Sequence, residues 1–319
     1  MSLRLDPSDC LPPQAAAPTD APFGAQTCFL RGTRIATVRG EVEVEALRVG
    51  DLAVTASGLR PVTRIERRGL NGGDPVRILA RAFGETPRRD LWLGPGHGVA
   101  AEGALIPVAA LANGVTLRRE ASGRAEAYGL ELDGPDIVFA EGLPVEAGAA
   151  RADRALAPGR GAVVEGLKTR LIEAVLAQGH GLTDDADPCL MADGARIEPV
   201  RLSQGRLAFI TPAPRDDLVL TSRVFTPAHV LPASADDRAL GLCVTRLQID
   251  GDEIALDSTE LDEGWHAPEG AAGAPERRWT RGAARLRPGA RCVIVDLAPG
   301  GPYWRAPDAP LDPVVALFG

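Results

Sequence analysis

Aromatic side chains are scarce in this 319-residue chain, at 4% of the residues, so any core has to be assembled mainly from Val, Leu, Ile and Ala. Positive charge is in deficit. The formal net charge of -8 argues against nonspecific binding to nucleic acid or to an anionic membrane surface. No segment approaches the ~20 consecutive apolar residues that span a bilayer, and Met1-Ser2-Leu3-Arg4-Leu5-Asp6 lacks the apolar centre of a secretory signal. The expectation is a chain without a membrane span, cytoplasmic when made, with signal-peptide-independent export left open. The five cysteines, Cys10, Cys28, Cys189, Cys243 and Cys292, form no CxxC pair. Their spacing suits neither a zinc ribbon nor a disulfide framework, and no cofactor or metal is expected. Cys243 and Cys292, inside apolar runs, read as small buried hydrophobes of strands.

What is present is a β-pattern with one interruption. Residues 1–22 contain five prolines and little apolar pattern, and read as a flexible leader. From residue 23 to 150, short alternating runs such as Arg34–Val38, Val62–Ile65, Val76–Leu79, Asp90–Leu93 and Asp136–Phe139 are separated by Gly, Pro, Asn or Asp. Period-two alternation broken this often predicts an all-β domain. Residues 151–178 read as linker and helix. Leu167, Leu171, Ile172, Val175 and Leu176 recur at helical spacing over 164–178, and Gly179 is placed to cap the end. Residues 179–319 return to strands, among them 207–210, 242–249 and 292–297, and predict a β-rich accessory domain; the stretches 236–241, 264–269 and 277–282 resemble a β-sandwich-like accessory region. Most of the Trp and Tyr residues fall there (Trp265, Trp279, Tyr303, Trp304). Such rings beside Asp, Arg and His suit either a core role or the stacking of a glycan.

The chemistry-bearing string is Thr27-Cys28-Phe29-Leu30-Arg31-Gly32-Thr33-Arg34-Ile35, followed by Gly40, Val42-Glu43-Val44-Glu45 and Val49-Gly50-Asp51. It is similar to the opening of the Hint (Hedgehog/intein-like) superfamily, most closely the bacterial intein-like branch. Two later stretches resemble the same family in the same order. One is Asp90-Leu91-Trp92-Leu93-Gly94-Pro95-Gly96-His97, and the other is Tyr128-Gly129-Leu130-Glu131-Leu132 continuing through Asp136 to Glu146. The resemblance covers roughly residues 23–148 and implies a flattened, curved β-assembly. It also implies that Cys28 attacks the peptide bond before it, with the chain's own polypeptide as substrate, by N–S acyl shift at Thr27–Cys28 followed by hydrolysis or transfer. The thiol must lose its proton, the leaving nitrogen must gain one, and the oxyanion needs a donor. By the same resemblance, His97 stands where the family's proton-donating histidine stands.

The departures are specific. Gly94 replaces a hydroxyl residue. The family's aromatic-His pair reads Tyr128-Gly129 here, and Pro135 stands where a second histidine is expected. Asp133 and Asp136 are the remaining candidate polar partners for Cys28 or His97. No His-Asn pair ends the region, which disfavours splicing. Two further readings stay open beside self-processing. One is a degenerate, non-catalytic Hint scaffold serving as an export, interaction or glycan-binding module, with a glycan or protein partner for the C-terminal domain. The other is an intermolecular thiol hydrolase built on Cys28 and His97.

Overall fold

A computed structural model describes residues 27–69, 74–120, 126–147, 161–271 and 274–307. The proposed leader at 1–22 and most of the proposed linker lie outside the described residues. The chain divides into two compact units, one ending at Gln178 and the other beginning at Gly179, with Leu231–Ala235 grouped with the first.

Among its described residues the first unit is built of strands, short 3-10 turns and one helix. Its strands are β1 (Phe29–Leu30), β2 (Arg34–Thr37), β3 (Gly40–Glu43), β4 (Leu52–Thr55), β5 (Gly58–Gly69), β6 (Val76–Ile78) and β7 (Leu91–Leu93). They continue as β8 (Gly98–Ala101), β9 (Ala104–Pro107), β10 (Leu117–Arg119), β11 (Glu126–Leu132), β12 (Asp136–Ala140) and β13 (Leu143–Ala147). The hydrogen-bonded order is β10-β6-β7-β1-β11-β5-β4-β2-β12-β13-β8-β9, with β3 paired to β2. The 12-residue β5 is long enough to pair with β11 at one end and β4 at the other. Strands β2, β6 and β7 alternate buried and half-buried residues, whereas β8 is buried throughout. Ile35, Val62, Ile78, Leu91, Leu93, Val99, Ile106, Leu130, Val138 and Val145 form one buried cluster. Asn113 supplies a second kind of order: its buried carbonyl oxygen accepts from the backbone N–H groups of Val115, Thr116 and Leu117, which fixes the turn into β10.

Helix α1 (Ala162–Ala177) follows the expected spacing. Val164, Leu167 and Leu171 join the β-core, and the helix stops before Gly179, whose φ of 91° is costly for a residue with a Cβ.

The second unit begins with β14 (Gly181–Thr183), β15 (Cys189–Ala192), β16 (Ala195–Ile197), β17 (Val200–Ser203), β18 (Arg206–Ile210) and β19 (Leu218–Thr221). After the single-turn helix α2 (Pro227–Val230) come β20 (Cys243–Ile249), β21 (Asp252–Ile254), β22 (Glu269–Ala271), β23 (Ala274–Trp279), β24 (Ala283–Leu286), β25 (Cys292–Ala298) and β26 (Tyr303–Arg305). A four-stranded sheet, β16-β15-β19-β24, packs on a seven-stranded sheet ordered β17-β18-β25-β20-β23-β22, with β21 on β20. Leu190, Leu218, Leu220 and Leu286 of the first meet Leu207, Phe209, Leu247, Val293 and Val295 of the second in a common core, giving a β-sandwich. Trp265 and Tyr303 are buried, whereas Trp279 and Trp304 are half-buried. Among the described residues no helix is long and apolar enough to cross a membrane.

Candidate active site

Cys28 sits at the head of β1, which is wedged between β7 and β11. Phe29 pairs with Leu93 on one side and with Tyr128 on the other. Extending this antiparallel register by one residue sets Cys28 between Gly94 and Gly129. The Gly94 N–H donates to the Cys28 carbonyl at 2.9 Å, as that register requires. Both neighbours are positions at which the family resemblance implies a side chain, a hydroxyl at 94 and an imidazole at 129. Two of the three departures therefore fall on either side of the same cysteine, and Pro135 lies elsewhere. The next residue in the row beyond Gly129 is Glu66 of β5.

The pleat separates the groups around this strand into two sets. Phe29 points into the main core and meets the His97 ring edge-on, with centroids 4.5 Å apart. The Cys28 side chain lies on the opposite face, in a small apolar cluster with Leu30 and Ala127, against which Trp92 packs. Cys28 is 6% exposed and His97 2%.

His97 is held by the turn that opens on Gly94. The His97 N–H donates to the Gly94 carbonyl at 2.9 Å, and the Ala109 N–H pins the Pro95 carbonyl at 3.0 Å. Its ring bridges two backbone carbonyls, with Nδ1 3.2 Å from the Cys28 oxygen and Nε2 3.0 Å from the Glu146 oxygen. A neutral imidazole has one N–H and donates to one of these at a time, whereas the imidazolium donates to both. Burial holds His97 below its ordinary pKa, opposed by the Glu146 carboxylate and by the two carbonyls. The Glu146 carboxylate also accepts from the Gly98 N–H at 3.1 Å, and a Cβ at Gly98 would come within 3.1 Å of that carboxylate.

Of the sequence-derived residues, Cys28 and His97 come together through the Cys28 carbonyl, and half-buried Thr27 immediately precedes them. Asp133 and Asp136 have other partners. Asp136 is buried and accepts from Thr55 Oγ1 at 2.8 Å, from Ser57 Oγ and from Arg60 Nε at 2.7 Å. Asp133 pairs with the same guanidinium at 3.2 Å. Together they clamp the β4–β5 turn to the β11–β12 turn. Glu146 was not singled out by sequence reasoning. Its signal is a lone acidic residue within Leu143-Pro144-Val145-Glu146-Ala147, an otherwise apolar strand. Among the described residues, no three or more His, Cys, Asp or Glu side chains gather into a metal-holding group.

Residues 27–150 match the model of the Hint domain family, and this region is a Hint-type domain with an all-β fold. The chain is similar to the gp41-1 intein crystal structure at 14% identity, covering 37% of this chain and 96% of that one, with a TM-score of 0.31. It is similar to the solution structure of a bacterial intein-like domain from Clostridium thermocellum at 15% identity, covering 37% and 96%, also with a TM-score of 0.31. The MchDnaB-1 intein crystal structure is similar at 15% identity over 37% and 98%, with a TM-score of 0.28. No curated protein matches the chain.

Proposed function

We propose that the Hint-type domain carries out cysteine-dependent self-processing at Thr27–Cys28. The Cys28 sulfur bonds to the Thr27 carbonyl carbon, and the C–N bond breaks. The Cys28 nitrogen takes a proton, which leaves residues 1–27 as a thioester on Cys28. Water or another nucleophile then releases that segment and restores the thiol. The observation that carries this reading is that thiol and imidazole flank one backbone residue from opposite faces, so that attack and protonation approach the same amide from different sides. The imidazole touches the carbonyl oxygen of Cys28, the residue whose amide nitrogen has to gain the proton. His97 therefore serves as acid to the leaving nitrogen rather than as base to the thiol. Intact mass of the full chain, followed over time with and without dithiothreitol, tests this. Thiol-accelerated loss of residues 1–27 supports it, and unchanged mass overturns it.

The scaffold reading has its own support. Glycine on both sides of Cys28 removes two of the groups expected to assist the reaction, so slow turnover is expected in the natural sequence. On that reading the domain is a folding, export or interaction module for the second unit. The half-buried Trp279 and Trp304 are the rings open to a glycan or protein partner there. Loss of polysaccharide retention on Trp279→Ala, with the fold intact, would test that role.

A further inference from the structure

We propose that Trp92 is the cover over the Cys28 thiol and selects the nucleophile that resolves a Cys28 thioester, admitting water and small thiols and excluding larger ones. The nucleophile half of this proposal rests on the self-processing reading above; the cover itself does not.

The residues around the thiol are unusually small. Its direct cross-strand neighbours are Gly94 and Gly129, and one diagonal neighbour is Ala127. Glu131 of β11 takes a second diagonal position and Trp92 a third; Trp92 is the one large ring packed on this cluster, and diagonal pairs lie within reach of an aromatic side chain. Leu91 and Leu93 are buried in the core on either side of it, so strand alternation fixes the indole on the thiol's face. From outside, Arg77, its cross-strand partner, stacks on the indole with the guanidinium carbon 5.0 Å from the ring centroid. Arg77 is itself held by Asp90 at 2.6 and 3.0 Å and by Glu120 at 3.2 Å. The indole is thus fastened between an apolar cluster and a strapped cation. With glycine as both flanking residues, this ring is the large apolar group next to the sulfur. In resolution, an incoming thiol sulfur or water oxygen bonds to the thioester carbonyl carbon, the Cys28 sulfur leaves as thiolate, and the nucleophile's proton passes to it.

The test uses the full chain and follows alkylation of each cysteine by N-ethylmaleimide, mapped by peptide mass, in the native protein and in Trp92→Ala, Trp92→Phe and Arg77→Gln. Thiol reactivity follows access to the sulfur, so Trp92→Ala is expected to speed Cys28 alkylation by ~10-fold or more, with Trp92→Phe close to native and Arg77→Gln between them. Cys243 lies in the second unit, so hydrogen exchange of the first unit's strands reports unfolding there and should match the native protein. If Trp92→Ala loses that protection, Arg77→Gln decides in its place. Native-rate alkylation of Cys28 in the folded variants overturns the cover. Release by glutathione relative to dithiothreitol should rise in Trp92→Ala, and an unchanged ratio overturns the selection. Faster alkylation with no thioester in any variant keeps the cover and removes the self-processing reading.

Discussion

Cys28 and Cys243 each stand at the head of a strand, each inside a β-unit, and are 6% and 2% exposed. Their surroundings differ in kind. Cys243 pairs across its strand with Trp279 and Ala298, and burial pushes its thiol up to about 11. Such a thiol is an inert hydrophobe at neutral pH. Cys28 has glycine in both cross-strand positions, and its own carbonyl is held by the Gly94 N–H and the His97 ring. The buried histidine of the second unit, His266, instead bonds the Ala239 carbonyl at 2.7 Å. Burial is common to the two cysteines and does not tell them apart. What sets Cys28 apart is that a histidine ring and a backbone N–H hold its own carbonyl, next to the peptide bond on which a reaction would act.

The sharpest way to break this comparison is to exchange the cysteines' fates. Cys28→Ala is expected to abolish thiol-dependent release of residues 1–27, and Cys243→Ala to leave it unchanged, both read by intact mass. Release that survives Cys28→Ala would remove any special standing of that residue.

Next in size is the effect of refilling the two glycines. Gly94→Thr adds a hydroxyl and Gly129→His an imidazole, each beside Cys28. Losing an orienting or oxyanion donor typically costs ~10²–10³ in rate, and losing general acid–base help ~10²–10⁴. The double variant should therefore release the segment faster by at least ~10²-fold. Pro135→His should do far less, because Pro135 adjoins the Asp136–Arg60 clamp. A folded double variant with no gain would mark Cys28 as a relic of a structural domain.

This contrast also bears on how far the sequence could be read. The strands at 34–37, 76–78, 91–93 and 136–140 and the helix at 162–177 were legible because alternation and helical spacing are local properties. Cys28 and His97 were legible because their motifs are short and ordered. The two aspartates stood as candidate polar partners of that pair or as turn residues, and spacing alone could not decide between these. Asp136 is satisfied by Thr55, Ser57 and Arg60, about eighty positions earlier, a pairing set by strand order and not by spacing. Glu146 and Trp92 were not picked out for the same reason. The meeting of β13 with the His97 turn, and of β7 with β1, is a non-local matter of register.

The clamp gives a third prediction, an effect on stability without one on chemistry. The Asp136 carboxylate is fully buried against Arg60. Asp136→Ala leaves that guanidinium and two hydroxyls short of a partner, and breaking a buried pair from one side typically costs ~3–5 kcal/mol. Arg60 retains some water contact and Asp133, so ~2–3 kcal/mol is expected, read as a shift of the urea midpoint. Processing measured where the variant is folded should match the native rate. A selective loss of processing would return Asp136 to the site.

The smallest effect expected is the pH dependence that His97 imposes. Its pKa in the fold lies below the ordinary value because burial outweighs the two carbonyls and Glu146. The unfolded chain takes up the proton near pH ~6.5, at which the folded chain still refuses it. The stability contributed by the neutral ring is therefore complete above pH ~6.5, and is lost as the pH falls from there toward the folded value. Urea midpoints at pH 7.5 and 5.5 should show the native protein weakening more than His97→Asn, with ~1.4 kcal/mol lost for each unit of pKa depression. The other three histidines are common to both proteins and cancel in the difference. Processing should change less than stability, because acidification supplies the imidazolium that the leaving nitrogen requires and withdraws the thiolate that attacks. A native protein that instead gains stability relative to His97→Asn at pH 5.5 would show that the two carbonyls and Glu146 outweigh burial. His97 would then stand protonated in the fold, already charged for its role at neutral pH.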